Sequence, residues 1–546
     1  RPNRTFFFVN YEGVRNNKAA FLAGIVPSVA ERGGAFTQPV YDPLTVRNVG
    51  GIFTRDAFPG NRIPANRIDP VAAKVSQLWA SPNTSGATNF LGNASAPDTL
   101  NQFNIRFDHL LNENQRLFGR FSMENNVGGI PDWYGNIASP AVFSSNVNNR
   151  NAVVDYTNTL SPTLIMNAHY GYTRQNNQRV PRSQGTDLTQ FGWPASYSNA
   201  RQDDTLPQFS VAGYLGLSSN SLFRRAADVH NLAGMMTKIS GRHTLKFGID
   251  TRMYLTNWVN NGTAGGTFAF TTAFTRGPDA QRGAGGNSFA SFLLGYPATG
   301  SITILEPFSS PQLYFAPYIQ DDIRVTPNLT INVGLRWDIE TPRWERYNRL
   351  SYFDPDVASP LASQVGIPGL RGGLQFVNQG GNSRKQQATD MNNFGPRFGF
   401  AWKALPKTVF RGGYTITYLP LTTRYMNNSN EGFAFTTPFF SSVDGISPVG
   451  TLSNPFPSGI TPPAGSSRGL LTNVGSALST LLYNDPVGYG QAWSFGVQRE
   501  FRGNVLLEAS YAGSKGTKLP MPVPLNVLPS QYLSLGNALL TQVANP

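Results

Sequence analysis

The chain has 546 residues, enough for several soluble domains or for one large barrel. Charged residues make up 14%, below the roughly 25% of an ordinary soluble domain, while aromatics reach 12% and Gly (55) and Pro (40) are plentiful, a strand-and-loop composition poor in helix formers. The absence of cysteine excludes disulfides, thiolate metal sites and thiol nucleophiles, and the net charge of +13 is spread without a run of three basic residues, which argues against a nucleic-acid-binding stripe.

Taken in chain order, Thr5–Glu12 reads as a strand. An irregular stretch over 13–101 follows, with one short helix at Pro70–Ala80, capped by Asp69 and carrying Pro70 at its first position. Six hairpins come next: 102–108 with 116–124, 151–157 with 163–173, 231–239 with 244–254, 312–325 with 329–340, 393–403 with 408–418, and 491–500 with 505–511. The fourth is the clearest. Leu329, Ile331, Val333, Leu335, Trp337 and Ile339 fall on one face, and Thr330, Asn332, Gly334, Arg336, Asp338 and Glu340 on the other, joined to the preceding run by Thr326-Pro327-Asn328. With the first strand, these make thirteen.

The connections alternate strictly between short and long. The long links, 125–150, 174–230, 257–311, 341–392 and 419–490, are rich in Gly, Pro, Asn and Ser. Compact soluble domains rarely carry structureless links above about 12–15 residues, whereas outer-membrane barrels place tight turns on the periplasmic rim and long loops outside. Recurrent Asn pairs, such as Asn125-Asn126, Asn148-Asn149, Asn176-Asn177 and Asn427-Asn428, suit polar, uncharged loops. Tyr170, Tyr172, Trp258, Trp402, Tyr418, Trp493 and Tyr511 near strand ends fit aromatic girdles. No run of about 18 apolar residues exists, so no transmembrane helix is expected. Asp321 lands on the apolar face, close to a turn. Phe209–Leu217 and Ser288–Tyr296 are candidates for further strands. The expected fold is all-β: a transmembrane antiparallel up-and-down β-barrel with long extracellular loops and short periplasmic turns, in the bacterial outer membrane. Closed single-chain barrels have an even strand number, so thirteen strands point to a partial barrel.

The segments TFFFVNYEG (5–13), GRHTLKFGID (241–250), FLLGYP (292–297), YIQDDIRVTPNLTINVGLRWD (318–338), NNFGPRFGFAW (392–402) and QAWSFGVQREFRGNVLLEASYAGSKGTKL (491–519) resemble the barrel of TonB-dependent outer-membrane receptors, and most nearly the Oar-like group. That resemblance implies about 22 strands in the full protein, an N-terminal plug, and a TonB complex that opens the plug with energy from the inner membrane. Residues 1–546 then read as one barrel domain truncated at both ends. The plug, the regulatory-like domain and the TonB contact belong to the region before Arg1.

Catalysis has little support. His109, His169, His230 and His243 are scattered without metal-ligand spacing, and no nucleophile elbow or phosphate loop occurs, so no catalytic, metal or cofactor residues are assigned. Arg106, Arg120, Asp250, Arg252, Arg336 and Asp338 fall on polar faces, for wall pairing or plug contact in the lumen. Ligand contact belongs to the loops, with Trp133, Tyr134, Trp193, Trp344 and Tyr347 as candidates. The expected function is energised uptake of a large ligand, an oligosaccharide, peptide or metal chelate. A passive porin-like channel and a surface adhesion barrel are the alternatives. The expected partners are outer-membrane lipid, the TonB complex and an extracellular ligand, and no nucleic acid.

Overall fold

Period-two alternation on this scale has one outcome, a sheet with one apolar and one polar face, and the computed structural model shows it. It describes residues 4–140, 144–421 and 430–540. Thirteen strands neighbour one another in chain order, each antiparallel to the next. They are β1 (Thr5–Gly24), β2 (Phe90–Asn112), β3 (Gln115–Gly128), β4 (Ser144–Ser161), β5 (Leu164–Val180), β6 (Leu222–Ser240) and β7 (His243–Asn261), then β8 (Phe308–Thr326), β9 (Leu329–Trp337), β10 (Phe394–Leu405), β11 (Thr408–Tyr418), β12 (Tyr489–Phe501) and β13 (Val505–Thr517). Ile339–Glu340 adds a short extra pairing on β8. Among the described residues no pairing joins β1 to β13, so the wall is open at both edges.

The register carries each face across the wall. Phe7, Phe107, Gly119, Val154, Tyr170, Leu232, Thr251 and Phe315 stand in one cross-strand row. Phe7 is 81% exposed, Leu232 57% and Ile319 53%. A water-soluble sheet would cover such a contiguous apolar band, and hydrocarbon does so here. On β7 the band runs from Leu245 to Leu255; at about 3.3 Å per residue and about 40° of tilt it is about 25 Å tall, the height of a barrel's lipid-facing belt. The opposite face holds the row Arg106, Arg120, Val153, Gly171, Asn231, Arg252 and Tyr314. Asp321, the carboxylate on the apolar side, lies 2.6 Å from His243 Nδ1 at the short-turn rim, which gives it a polar partner close to water.

Several strands outrun their expected lengths. β1 has 20 residues and β2 has 23, against roughly 9–11 needed to cross a bilayer, so the wall projects beyond the membrane. The Asn125-Asn126, Asn148-Asn149 and Asn176-Asn177 pairs therefore lie in strands rather than loops; Asn427-Asn428 falls outside the described residues. The two further strand candidates come out differently. Of the first, only 209–211 is extended, as part of the strand Gln208–Val211, and Ser288–Leu293 of the second is a helix capped by Asn287, whose side chain accepts from the Phe289 and Ala290 amides. The helix expected near residue 70 is present at Pro70–Ser76, with Asp69 accepting from Val71 and Ala72.

The molecule's main hydrophobic core is not in the wall. It is built by the long connections at one rim. Val26, Phe58, Val71 and Trp79 come from the β1–β2 connection, and Leu188, Trp193 and Phe209 from β5–β6. Phe268, Phe289 and Phe292 come from β7–β8, and Leu452 and Phe456 from β11–β12. A four-stranded sheet, in the order 434–438, 299–305, 267–270, 208–211, runs through this cap. Trp79 meets Phe289 and Phe292 edge-on at 5.6 and 5.1 Å.

Candidate functional site

Two regions concentrate polar chemistry: the inner face of the wall and the cap above it. On the wall, Asp250 (β7) holds Arg252 at 2.7 Å and Arg336 (β9) at 3.2 Å. Arg336 Nε donates to Asp338 at 3.1 Å, and its Nη2 to the Tyr314 hydroxyl at 2.8 Å. The Tyr314 hydroxyl in turn donates to Asp338. Asn231 Nδ2 donates to Asp250 at 2.8 Å, and its Oδ1 lies 2.9 Å from His169 Nε2. A continuous polar network thus crosses from β5 to β9. It borders a hollow of about 490 Å³ lined in part by His169, Lys246, Asp250, Arg336 and Arg397.

The six wall residues expected to face the lumen all stand on this side, but in two separate groups. Asp250, Arg252, Arg336 and Asp338 belong to the network. Arg106 and Arg120 lie opposite each other on β2 and β3, with Arg106 forked onto Asp108 at 2.6 and 2.9 Å and Arg120 donating to Asn151 at 3.3 Å. His169, Asn231 and Tyr314 escaped the sequence reading. Their roles depend on cross-strand register, which a single strand's pattern does not carry.

The cap is seated on the inner side of the wall. Leu22 and Phe90 have the register parity of the lumen face, and both contact the cap core. At Gly24 an added Cβ would meet Leu215 at 2.5 Å, so the strand top and the cap touch backbone to side chain. Arg55 ties three connections together: Nη1 donates to the Ala273 and Arg276 carbonyls and Nη2 to that of Ile446. Burial, reinforced by the neighbouring Arg276, brings its guanidinium down to about 10. Glu431, beside the 299–305 strand, is pushed up from the usual carboxyl range by burial, with Asn473 donating to it at 2.8 Å.

The five loop aromatics are placed unequally. Trp193 is 2% exposed, inside the cap core, and its Nε1 donates to the Leu452 carbonyl. Trp133 Nε1 donates to the Ala20 carbonyl and Tyr134 packs on Phe90 at 5.6 Å, so both bind cap to wall. Trp344 is half-buried, bridged to Lys385. Tyr347, 58% exposed with the Arg349 guanidinium 4.8 Å from its ring centre, stands at the surface. Among the described residues no three His, Asp or Glu side chains gather as a metal site would require.

No curated protein matches this sequence. Solved structures similar in fold include the alcaligin outer membrane receptor FauA from Bordetella pertussis, at 10% identity and TM-score 0.38, covering 80% of this chain and 47% of that one. The outer membrane transporter YddB from Escherichia coli matches at 9% identity and TM-score 0.41, covering 77% and 40%. The ferric-catecholate import receptor Fiu from E. coli K12 matches at 10% identity and TM-score 0.36, covering 77% and 53%. The chain thus spans about half the length of these proteins. The model of the outer membrane beta barrel domain matches residues 1–545, and the chain belongs to that family, a barrel wall of the bacterial outer membrane.

Proposed function

We propose that this wall belongs to a TonB-dependent receptor that takes up a large extracellular ligand, in keeping with the resemblance carried by its strand and turn motifs. The observation that carries the reading is the cap. The β1–β2, β3–β4, β5–β6, β7–β8 and β11–β12 connections share one apolar core, the β3–β4 connection through Ala138, and sit on the inner side of the rim. An ordered cap costs chain entropy that a freely conducting pore has no use for, whereas a receptor needs rigid loops to hold a ligand and close the mouth. Ligand contact falls to the outer surface of the cap and to exposed side chains such as Tyr347. The lumen network pairs strands within the wall and offers its hollow to a plug. TonB would act through a plug rather than through these residues.

The porin alternative makes the opposite prediction for passive flow. Proteoliposomes carrying this wall together with the plug-bearing region expected before Arg1 are placed in isotonic stachyose, a tetrasaccharide. The receptor reading expects no swelling above empty liposomes. Swelling would overturn it in favour of an open channel.

A further inference from the structure

Above the lipid-facing band, the outward face of the wall changes character abruptly. Asn101, Asn125, Asn148 and Asn176 stand opposite one another on β2, β3, β4 and β5, an asparagine ladder in a single cross-strand row. The same row continues through Ala226 to Asn257, the outward residue just past Leu255, where the apolar band of β7 ends. The ladder therefore lies at the depth where hydrocarbon gives way to headgroups. Among the described residues Asn125, Asn148 and Asn176 make no side-chain hydrogen bond to protein, although amide groups at a boundary with hydrocarbon need partners.

In the next row down, level with Leu255 at the band's upper end, Arg150 on β4 stands directly opposite Arg174 on β5. Like charges in a cross-strand pair repel at a Cβ separation of about 4.5–5.5 Å. Arg174 has Asp228 on its far side, at 3.2 Å. Arg150 has Met123 on its far side and no ion pair among the described residues. The pair thus keeps an excess positive charge facing outward. A phosphate group fits that excess, since two guanidinium forks can each chelate its oxygens.

We propose that this surface binds a phosphorylated glycolipid of the outer leaflet, with a phosphate between Arg150 and Arg174 and saccharide hydroxyls on the asparagine ladder. Continuity with the lipid-facing band selects the lipid over a soluble anion. The proposal needs only the membrane placement of the wall, not the receptor reading.

The test uses the purified chain in detergent and diphosphorylated lipid A, with its dephosphorylated form for comparison. Binding is measured by native mass spectrometry. The wild type is expected to prefer the phosphorylated form, and Arg150→Gln to reduce that preference about tenfold, as loss of a charge-assisted fork would. The lumen-facing Arg397→Gln is expected to bind as the wild type does. Equal binding of both lipid forms by the wild type would overturn the proposal. So would an unchanged Arg150→Gln, an equal loss in Arg397→Gln, or complete displacement of the lipid by millimolar inorganic phosphate, which would mark a site for the free anion.

Discussion

Arg336 on β9 reaches Asp250 on β7, Nη2 to Oδ2 at 3.2 Å, across the intervening strand β8. Neighbouring strands are already tied by backbone hydrogen bonds, so a side chain that spans two strand spacings adds a restraint the ladder cannot supply. Tyr314 of β8 lies between them and takes part in the same network.

Removing that arginine is expected to weaken the wall. In Arg336→Met, Asp250 keeps Arg252 and Asn231, while Asp338 keeps only Tyr314 among its side-chain donors. A lost charge-assisted bond at a largely buried site costs about 1.5–3 kcal/mol, read as a lower urea midpoint in phospholipid vesicles. Arg336→Lys is expected to rescue little, because a lysine has no planar fork to divide between two carboxylates and a phenol.

Trp193→Ala is expected to open the cap and spare the wall. A buried tryptophan truncated to alanine costs about 3–5 kcal/mol, and here the loss falls on the core formed by the long connections. Limited proteolysis should show new cuts within 182–221 and 262–307, while the far-ultraviolet strand signal persists.

The two faces of the wall are expected to respond oppositely to charge. Ile319→Arg, in the row that joins Phe247 and Leu335 on the turn side of the band's middle, places a charge in hydrocarbon and should cost about 1–2 kcal/mol, between the midplane and interface costs of a barrel. Gln320→Arg, its neighbour on the lumen face, should be close to neutral. The two variants are compared by urea unfolding from vesicles.

Stability of the cap should depend on Glu431. Its carboxyl takes up a proton more readily folded than unfolded, because burial penalises the anion. The folded form therefore gains at low pH, and the penalty grows as pH rises from the unfolded carboxyl range to the raised folded value, staying constant above it. Glu431→Gln should match the wild type in acid and exceed it at neutral pH when cap unfolding is followed by tryptophan fluorescence.

The wall was legible in the sequence because alternation reports directly on two media. The turn at Thr326–Asn328 emerges as read, the strand expected over 329–340 breaks after Trp337 and resumes as the short Ile339–Glu340 pairing, and the thirteen strands are the thirteen seen in the path. Strand ends were not legible. The upper parts of β1 to β7 leave the hydrocarbon, both faces become polar, and runs such as Asn148-Asn149 lose the alternation that marks a strand. The cap was hidden for a different reason. Its core joins Trp79, Trp193, Phe292 and Phe456 from four separate connections, and such contacts leave no local periodicity. For the same reason Trp193 looked like a loop tip but stands in a core.

The central claim is the orientation of the wall, and the chain's lack of cysteine makes it directly measurable. Single cysteines at positions 329 to 337, each carrying an environment-sensitive fluorophore, are reconstituted into vesicles containing brominated lipid. The structure predicts a strict two-residue period. Labels at 331, 333 and 335 should be blue-shifted and quenched, and those at 330, 332, 334 and 336 should remain water-exposed and unquenched. Uniform quenching along the segment, or the opposite phase, would contradict the placement of Ile331, Val333 and Leu335 against lipid.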